Sequence, residues 1–379
     1  MKITGVETYP VSGQWLFVVV DTDEGTWGVG ESGLSMHELA VIGAIEHFKP
    51  WLIGQDPARI EYIWQGLARG RFFPIGPVAA AALSAIDVAL WDIRGKVHGV
   101  PVYQLLGGRV RDRAVCYTGL GDNGYDIGRL IATCQERVSL GWKALRWTTP
   151  FHVETREFDQ RVGAREAVKQ MRAVRDAVGE DIEICFDIHT RLDLPEAIRV
   201  CREAEPLHPF FMEDPLRAES PRTYRELRHH VSVPIAAGEQ FAGKWQFREL
   251  IDDDLIDYVR ADTCLIGGIS EAKKIAGWAE AHNIKMALHN PLGPVSTAAC
   301  AHIDLAIDNF GIQEQHGIPG KFLTDLFPVQ IPWADGYLLP PDRPGLGIEF
   351  DREAARRHPF QLGHGQYMLR RPDGALTNV

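Results

Sequence analysis

Seven polar residues, Arg146, Asp187, Glu213, Glu239, Asp262, His289 and Glu314, each stand where a short apolar run ends. From Asp187 onward they recur every 23 to 27 residues, close to the period of one strand–helix unit in a parallel barrel. Asp187 (ICFDIH), Glu213 (FFMEDP) and Glu239 (AAGEQF) follow apolar or small residues that fold inward. One carboxylate at such a place is commonly a salt-bridged structural group, but three converging ones do not all stay ionised without a cation. Three hard oxygen donors with open positions suit Mg²⁺, and no His or Cys joins them to favour zinc. His289 (MALHNPLGP) follows the strand ended by Asp262 (YVRAD). A carboxylate on one ring nitrogen fixes the tautomer and raises the basicity of the other. Such a pair opposite a metal suits removal of a proton from the carbon beside a carboxylate, giving an enediolate whose charge the metal stabilises. Glu314 (GIQEQ), if protonated, donates a hydrogen bond to the other carboxylate oxygen. His189 lies two residues after Asp187, so strand alternation turns both to one side. It is placed to protonate a departing hydroxyl, the alternative being an ordinary exposed loop histidine.

These residues need a frame that brings strand ends together. Residues 2–11 and 15–22 alternate apolar and polar positions, and Asp23-Glu24-Gly25 signals a hairpin into a third strand. Helical patterns follow over 37–52, 57–69 and 77–98, the last opening on Pro77 and stopping at Gly99. From about residue 113 the pattern changes. Strands are expected at 114–118, 144–147, 183–187, 209–212, 233–237, 257–261, 284–288 and 310–313. Between them lie helical stretches such as 162–178, 194–204, 220–230, 243–251, 269–282 and 296–307. That alternation implies parallel strands with right-handed crossovers, and seven or eight units close a barrel. The alternation predicts a (β/α)8-type TIM barrel over residues 113–329 and a smaller α+β domain over 1–112, which the family resemblance given below implies to be a modified barrel and its capping domain. Residues 330–379, rich in Pro and Gly, are expected to pack back on the N-terminal meander and complete the cap. No GxGxxG follows the first strand, which disfavours an open dinucleotide-binding sheet.

Composition limits the partners. The chain has 379 residues, 45% hydrophobic and 24% charged, with a net charge of −11. That balance argues against a nucleic-acid partner, whose phosphates need clustered Lys and Arg. No apolar run reaches the roughly 18 to 20 residues of a membrane span, and MKITGVETYPV has no signal-peptide pattern. The six cysteines (116, 134, 185, 201, 264 and 300) lack a CxxC or zinc-ligand spacing. They read as buried thiols of a cytoplasmic protein.

With these residues in view, the chain resembles the mandelate racemase branch of the enolase superfamily over nearly its whole length. FDIH, MEDP and AGEQ match that branch's metal ligands, ADTCLIGGISE and ALHNPLGPV its Asp–His dyad, and IQEQ its electrophilic Glu. DTDEG, LIGQDP, ALWDIRGK and PVYQLLGG match its first domain. The resemblance implies Mg²⁺ on Asp187, Glu213 and Glu239, His289 with Asp262 as base, and a homo-oligomer. Within the branch the likeness is to D-galactonate dehydratases, through Asp187-x-His189, HNPLGP and PGLG at Pro344–Gly347. It implies that His189 is the acid that expels the 3-hydroxyl. Racemases of the branch carry Lys-x-Lys at the second barrel strand, whereas GWKALRWTTP places Arg146 and Thr148 there. Arginine stays protonated and threonine is no base at this pH, so the second base of a racemase is missing and dehydration remains. Arg146 also departs from the galactonate group and resembles mannonate dehydratases. The implied substrate is a small anionic sugar acid: galactonate, or alternatively mannonate, gluconate or lyxonate. Residues Gly119–Tyr125, Gln14–Trp15 and Arg69–Gly76 are expected to help select it. One-base epimerisation or cycloisomerisation, and a catalytically silent metabolite-binding barrel, are the competing readings.

Overall fold

A computed structural model describes residues 1–11, 14–70, 72–361 and 368–378; Arg71, within the expected 69–76 loop, lies outside them. The chain opens with an antiparallel sheet of β1 (Ile3–Val11), β2 (Trp15–Thr22) and β3 (Trp27–Glu31), in that order. Its hairpin turns at Gly25, whose φ of 79° favours glycine. Three helices cover the sheet, α1 (Glu38–Leu52), α2 (Ile60–Arg69) and α3 (Pro77–His98). Helix α3 starts with proline in its first turn and ends on left-handed Gly99, the asymmetry that proline's fixed φ and glycine's freedom produce. It lies directly on β3. A Cβ at Gly28 or Gly30 would fall 2.0 Å from Ala89 O or 1.8 Å from Ala85 O, so only glycine admits the helix at this distance. A short α4 (Val102–Leu105) leads out of the cap.

The barrel follows, each strand but the last succeeded by a helix. Its elements are β4 (Ala114–Gly119), α5 (Ile127–Ser139), β5 (Ala144–Thr148), α6 (Gln160–Val178), β6 (Glu183–Asp187) and α7 (Leu194–Ala204). Next come β7 (Phe211–Glu213), α8 (Thr223–His230), β8 (Ile235–Ala237), α9 (Arg248–Asp252) and β9 (Tyr258–Val259). The last are α10 (Gly268–Ala281), β10 (Lys285–Met286), α11 (Pro294–Ala306) and β11 (Gln313–Gln315). Strands β4 to β10 are parallel neighbours in chain order. Strand β11 returns to pair with β4, and a parallel Met286–Phe310 bridge joins β10 to the approach of β11, closing the ring. Helix α5 was not among the helical stretches expected. It buries only Leu130 and Cys134, too little for a strong apolar stripe. The stretch expected as one helix at 243–251 is a 3₁₀ turn, Lys244–Phe247, followed by α9.

Inside the barrel, Tyr117, Ala144, Cys185, Phe211, Ala236, Ala287 and Ile312 pack as one buried layer, with Tyr258 against it. Side chains alternate along a strand, so the residues two positions later also face the axis, one layer higher. Those residues include Arg146, Asp187, Glu213, Arg260, His289 and Glu314. The layer is a floor, and the polar residues stand on it.

Two buried carboxylates of the cap are inserted at barrel helix N-termini. Asp87 of α3 accepts from Ser270 N at 3.1 Å and Ser270 Oγ at 2.5 Å. Glu31 at the end of β3 accepts from Gly293 N at 2.7 Å and Ser296 N at 2.9 Å. Amide donors at a helix start have no partner within the helix, so each contact serves both domains. The tail divides. Leu346 N donates to Asp92, and Arg352 of α12 (Arg352–Arg357) pairs with Asp21, both in the cap. The hairpin β12 (Trp333–Ala334) and β13 (Tyr337–Leu338) instead adds antiparallel to β4. The final hairpin, β14 (Leu369–Arg370) and β15 (Leu376–Thr377), bridges to Glu157 beside the β5–α6 loop. The expectation that the whole tail returns to the meander is corrected accordingly. Among the described residues no helix is long and apolar enough to cross a membrane.

Candidate active site

All eight residues singled out in the sequence meet at the C-terminal end of the barrel strands. Arg146, on β5, pairs with Asp187 on β6 and lies 3.5 Å from Glu213 on β7. Asp187 and Glu213 are register partners on adjacent strands. Glu239 follows β8 and lies between two imidazoles, 3.9 Å from His189 Nε2 and 3.5 Å from His289 Nε2. His289 Nδ1 is 2.8 Å from Asp262 Oδ2, and Asp262 Oδ1 accepts from Cys264 N at 2.7 Å. One Asp262 oxygen is thus held by backbone and the other by the histidine, leaving Nε2 toward Glu239. Both Asp262 and Asp187 are fully buried.

Two residues that the sequence reading passed over belong here. Arg260 is fully buried, donating to Glu213 at 2.8 Å, Ala287 O at 2.8 Å and Glu314 at 2.5 Å. Its signal was present: a cation within YVRAD, two residues after inward-facing Tyr258. Asp214, next to Glu213, is the other. Glu213, Asp214 and Glu239 offer oxygens within 4.8 Å of one another. Asp187 is outside that set; its oxygens meet Arg146 and His189 N, the latter at 2.6 Å.

His189 reaches the site by a different route from strand alternation. β6 ends at Asp187, and His189 and Thr190 both take φ of 55°, a left-handed conformation that L residues adopt only when surroundings impose it. Burial works to raise the Glu314 carboxyl, but Arg260, His289 and Arg146 outweigh it and pull it below the usual carboxylate range. Its Oε2 accepts from Arg260 and from Asn290 N at 2.9 Å, and the donor role expected of it needs a proton that these cations disfavour.

The other acids behave oppositely. Burial pushes Asp187 up against the pull of Arg146 and Arg191, and Asp214 up to about 7. Burial, then the charges of Asp214, Glu213 and Asp187, drives Glu239 well above its ordinary range. Asp214 Oδ2 and Glu239 Oε2 are buried with no hydrogen-bond partner among the described residues. Of the carboxylates here, Asp187, Glu213, Asp214, Asp262 and Glu314 are buried and Glu239 is nearly so, against the buried guanidiniums of Arg191 and Arg260 and the partly buried one of Arg146. Full ionisation of the six leaves three negative charges unbalanced, which a divalent cation and a protonated imidazole would offset. The oxygen-only donor set, with two orphaned oxygens, fits a hard cation.

A cavity of about 590 Å³ opens over His189, Glu239 and His289 and is walled on the cap side by Gln14, Ser35 and Met36. Gln14 takes part as expected and cap residues 33–36, which were not expected, join it, while no described residue of the 69–76 or 119–125 loops lines this cavity. Phe72 and Phe73 are instead 94% and 78% exposed. All six cysteines are buried and unpaired.

Comparison with known proteins agrees with this geometry. Residues 6–107 match the mandelate racemase/muconate lactonizing enzyme N-terminal domain, and residues 129–354 match the enolase C-terminal domain-like family. The chain is 37% identical to a D-galactonate dehydratase of Pectobacterium atrosepticum, covering 100% of both chains. It is 37% identical to a D-mannonate dehydratase of Caulobacter vibrioides, over 95% of this chain and 93% of that one. The crystal structure of an enolase from Pantoea ananatis with bound D-gluconate and Mg superposes with a TM-score of 0.93 at 33% identity, covering 100% of both. By sequence over its full length, by fold, and by the carboxylate-lined site at its barrel mouth, the chain belongs to the mandelate racemase/muconate lactonizing enzyme family of the enolase superfamily.

Proposed function

We propose that this protein is a hydro-lyase that removes water from an aldonate, such as D-galactonate, to give a 2-keto-3-deoxy acid, with Mg²⁺ as cofactor. The observation that carries the reading is Glu239 between His189 and His289, at 3.9 and 3.5 Å: one metal-ligand candidate with an imidazole on either hand. Asp187, Glu213 and Glu239 would hold the ion, Glu213 and Glu239 being common to the oxygen cluster and to the three-strand pattern. When bound, Mg²⁺ stabilises the second negative charge of an enediolate.

The remaining chemistry belongs to side chains. His289, its Nδ1 fixed on Asp262, takes the C2 proton through Nε2. His189 delivers a proton to the leaving 3-hydroxyl. Arg260 and Arg146 keep Glu314, Glu213 and Asp187 paired. A second base is missing from the β5 position, where Arg146 is tied to carboxylates and Thr148 Oγ1 accepts from Arg191 at 3.1 Å. One base and one acid favour elimination over racemisation. Mannonate, gluconate and lyxonate are the alternative substrates. The exposed Phe72 and Phe73 support assembly as a homo-oligomer, and six reduced thiols a cytoplasmic address.

The test is a panel of hexonates and pentonates with purified protein and Mg²⁺, read as semicarbazide-reactive 2-keto acid and as C2 deuterium exchange. Exchange without water loss would favour a one-base epimerase, and neither signal on any acid would favour a silent binding barrel.

A further inference from the structure

The cavity that holds His189, Glu239 and His289 is also lined by Arg217, Glu219 and Asn378, from the loop after β7 and from the last described residue of the tail. These three are bound to one another. Arg217 Nε donates to Glu219 at 3.1 Å, one terminal nitrogen donates to the other Glu219 oxygen, and the second terminal nitrogen donates to Asn378 Oδ1. Asn378 Nδ2 in turn donates to Thr190 O at 2.7 Å. The tail therefore rests on the strained turn that carries His189.

The arrangement has a chemical meaning for what occupies the cavity. A sugar acid anchors one carboxylate among the buried charges and presents its other end elsewhere in the same space. If that end were a second carboxylate, it would need a cation with a free fork. Arg217 is the arginine lining this cavity, and its fork is closed by Glu219, two residues away. Glu219 also places a negative charge where the second carboxylate would go. A hydroxyl-bearing end meets no such penalty. It finds donors and acceptors in Gln14, Ser35, Gln240 and Asn378, which line the same wall space.

We propose that Arg217, Glu219 and Asn378 form a distal subsite that accepts a neutral polyol end and rejects a second carboxylate, making the protein selective for monoacids over diacids. This rests on the sugar-acid dehydratase reading above. Glu219 is the discriminating residue, Arg217 orients it, and Asn378 joins the pair to the His189 turn. The side chains of Arg217 and Glu219 are 52% and 65% exposed, so solvent screens the repulsion and the discrimination is modest.

The experiment compares kcat/KM for an aldonate and the aldarate of matching configuration in the wild type, Glu219→Gln, Arg217→Gln and a chain ending at Thr377, with Mg²⁺ present. Wild type should prefer the aldonate. Glu219→Gln should move the ratio toward the aldarate by roughly two- to fivefold, mainly through KM, as loss of a partly screened charge implies. Arg217→Gln should move it the opposite way, because Glu219 then repels without a counter-ion. The shortened chain should raise KM for the aldonate with less change in kcat. A ratio that stays fixed in both charge variants, or a wild type that prefers the aldarate, overturns the subsite. If the wild type shows neither product nor C2 exchange on any acid, the dehydratase reading itself has failed, and this separates the two.

Discussion

Substituting alanine for Gly33 should slow proton removal at C2 about ten- to a hundredfold without unfolding the protein. Gly33 follows β3 in the cap, and its N–H donates to Cys264 O at 2.8 Å. A Cβ there would stand 2.7 Å from Asp262 Oδ1 and 2.9 and 3.0 Å from backbone atoms of Cys264. Ordinary contact begins at 3.4 Å, so something must yield by about 0.7 Å. The Cys264 backbone is hydrogen-bonded to both partners, which leaves the Asp262 carboxylate to take much of the displacement. Its other oxygen holds His289 Nδ1 at 2.8 Å, and a shift of even half that size carries the bond to about 3.2 Å, beyond the charge-assisted range. Such a bond contributes about 1.5–3 kcal/mol, or roughly 10- to 150-fold in rate if wholly lost. The assay is C2 proton exchange in D₂O followed by NMR, with Asp262→Asn as the reference for a broken dyad and thermal melting as the control. If Gly33→Ala exchanges at the wild-type rate while Asp262→Asn is slow, cap packing does not hold the dyad and the reasoning is wrong.

Other expectations concern the same site. His289→Asn should abolish C2 exchange, whereas replacing His189 should stop water loss with exchange persisting; parallel loss of both in the His189 variant would mean that it only positions. Glu213→Gln should weaken Mg²⁺ binding by at least tenfold in calorimetry, and an unchanged affinity would remove Glu213 from the ligand set. Glu31 provides a pH test. Burial raises its carboxyl from 4.5 to about 8 against the pull of the Ser296 and Gly293 amides, with Asp262 adding to the rise. A raised acid binds a proton on folding, so its contribution is complete below 4.5 and is lost as pH climbs through about 8. That gap corresponds to at most about 5 kcal/mol. The stability of wild type minus that of Glu31→Gln should therefore fall between pH 5 and 8; a difference independent of pH would show that Glu31 does not titrate there.

Much of this site was legible because a parallel barrel turns period into place. Strands at 114–118, 144–147 and 183–187 were expected within a residue of where they lie, since apolar runs with polar ends have few other solutions. Asp187, Glu213 and His289 each stand two residues after a floor residue, a rule strict enough to use in reverse. Applied to β9 it selects Arg260 rather than Asp262. Arg260 was passed over in favour of the acid two residues on, because the floor residue that sets the count, Tyr258, is identified only by the packing. Asp214 was hidden by adjacency: in MEDP only three-dimensional closeness separates the ligand from its neighbour. The pull on the Glu314 carboxyl comes first from Arg260, 54 positions away, so no local reading reaches it. The His189 turn was assigned to the correct place for the wrong reason, because left-handed backbone at His and Thr is imposed by tertiary contacts. The tail was misread in part since Pro and Gly enrichment marks irregular chain without saying which surface it follows.

The bond between Glu31 and Gly293 also governs when the protein becomes whole. It joins residues 262 positions apart, and the tail contact from Asn378 to Thr190 spans 188. As the chain leaves the ribosome, β3 is made early, yet Glu31 meets its two amides only when the start of α11 emerges. Contacts of such separation cost loop entropy before they return any stability, and they fold late. Until then the cap carries a buried-type carboxylate without a partner, and the nascent barrel has an open β4 edge awaiting β11. Chaperone demand during synthesis should therefore persist until α11 and β11 are released, and chains ending short of α11 should accumulate as aggregates rather than as folded caps.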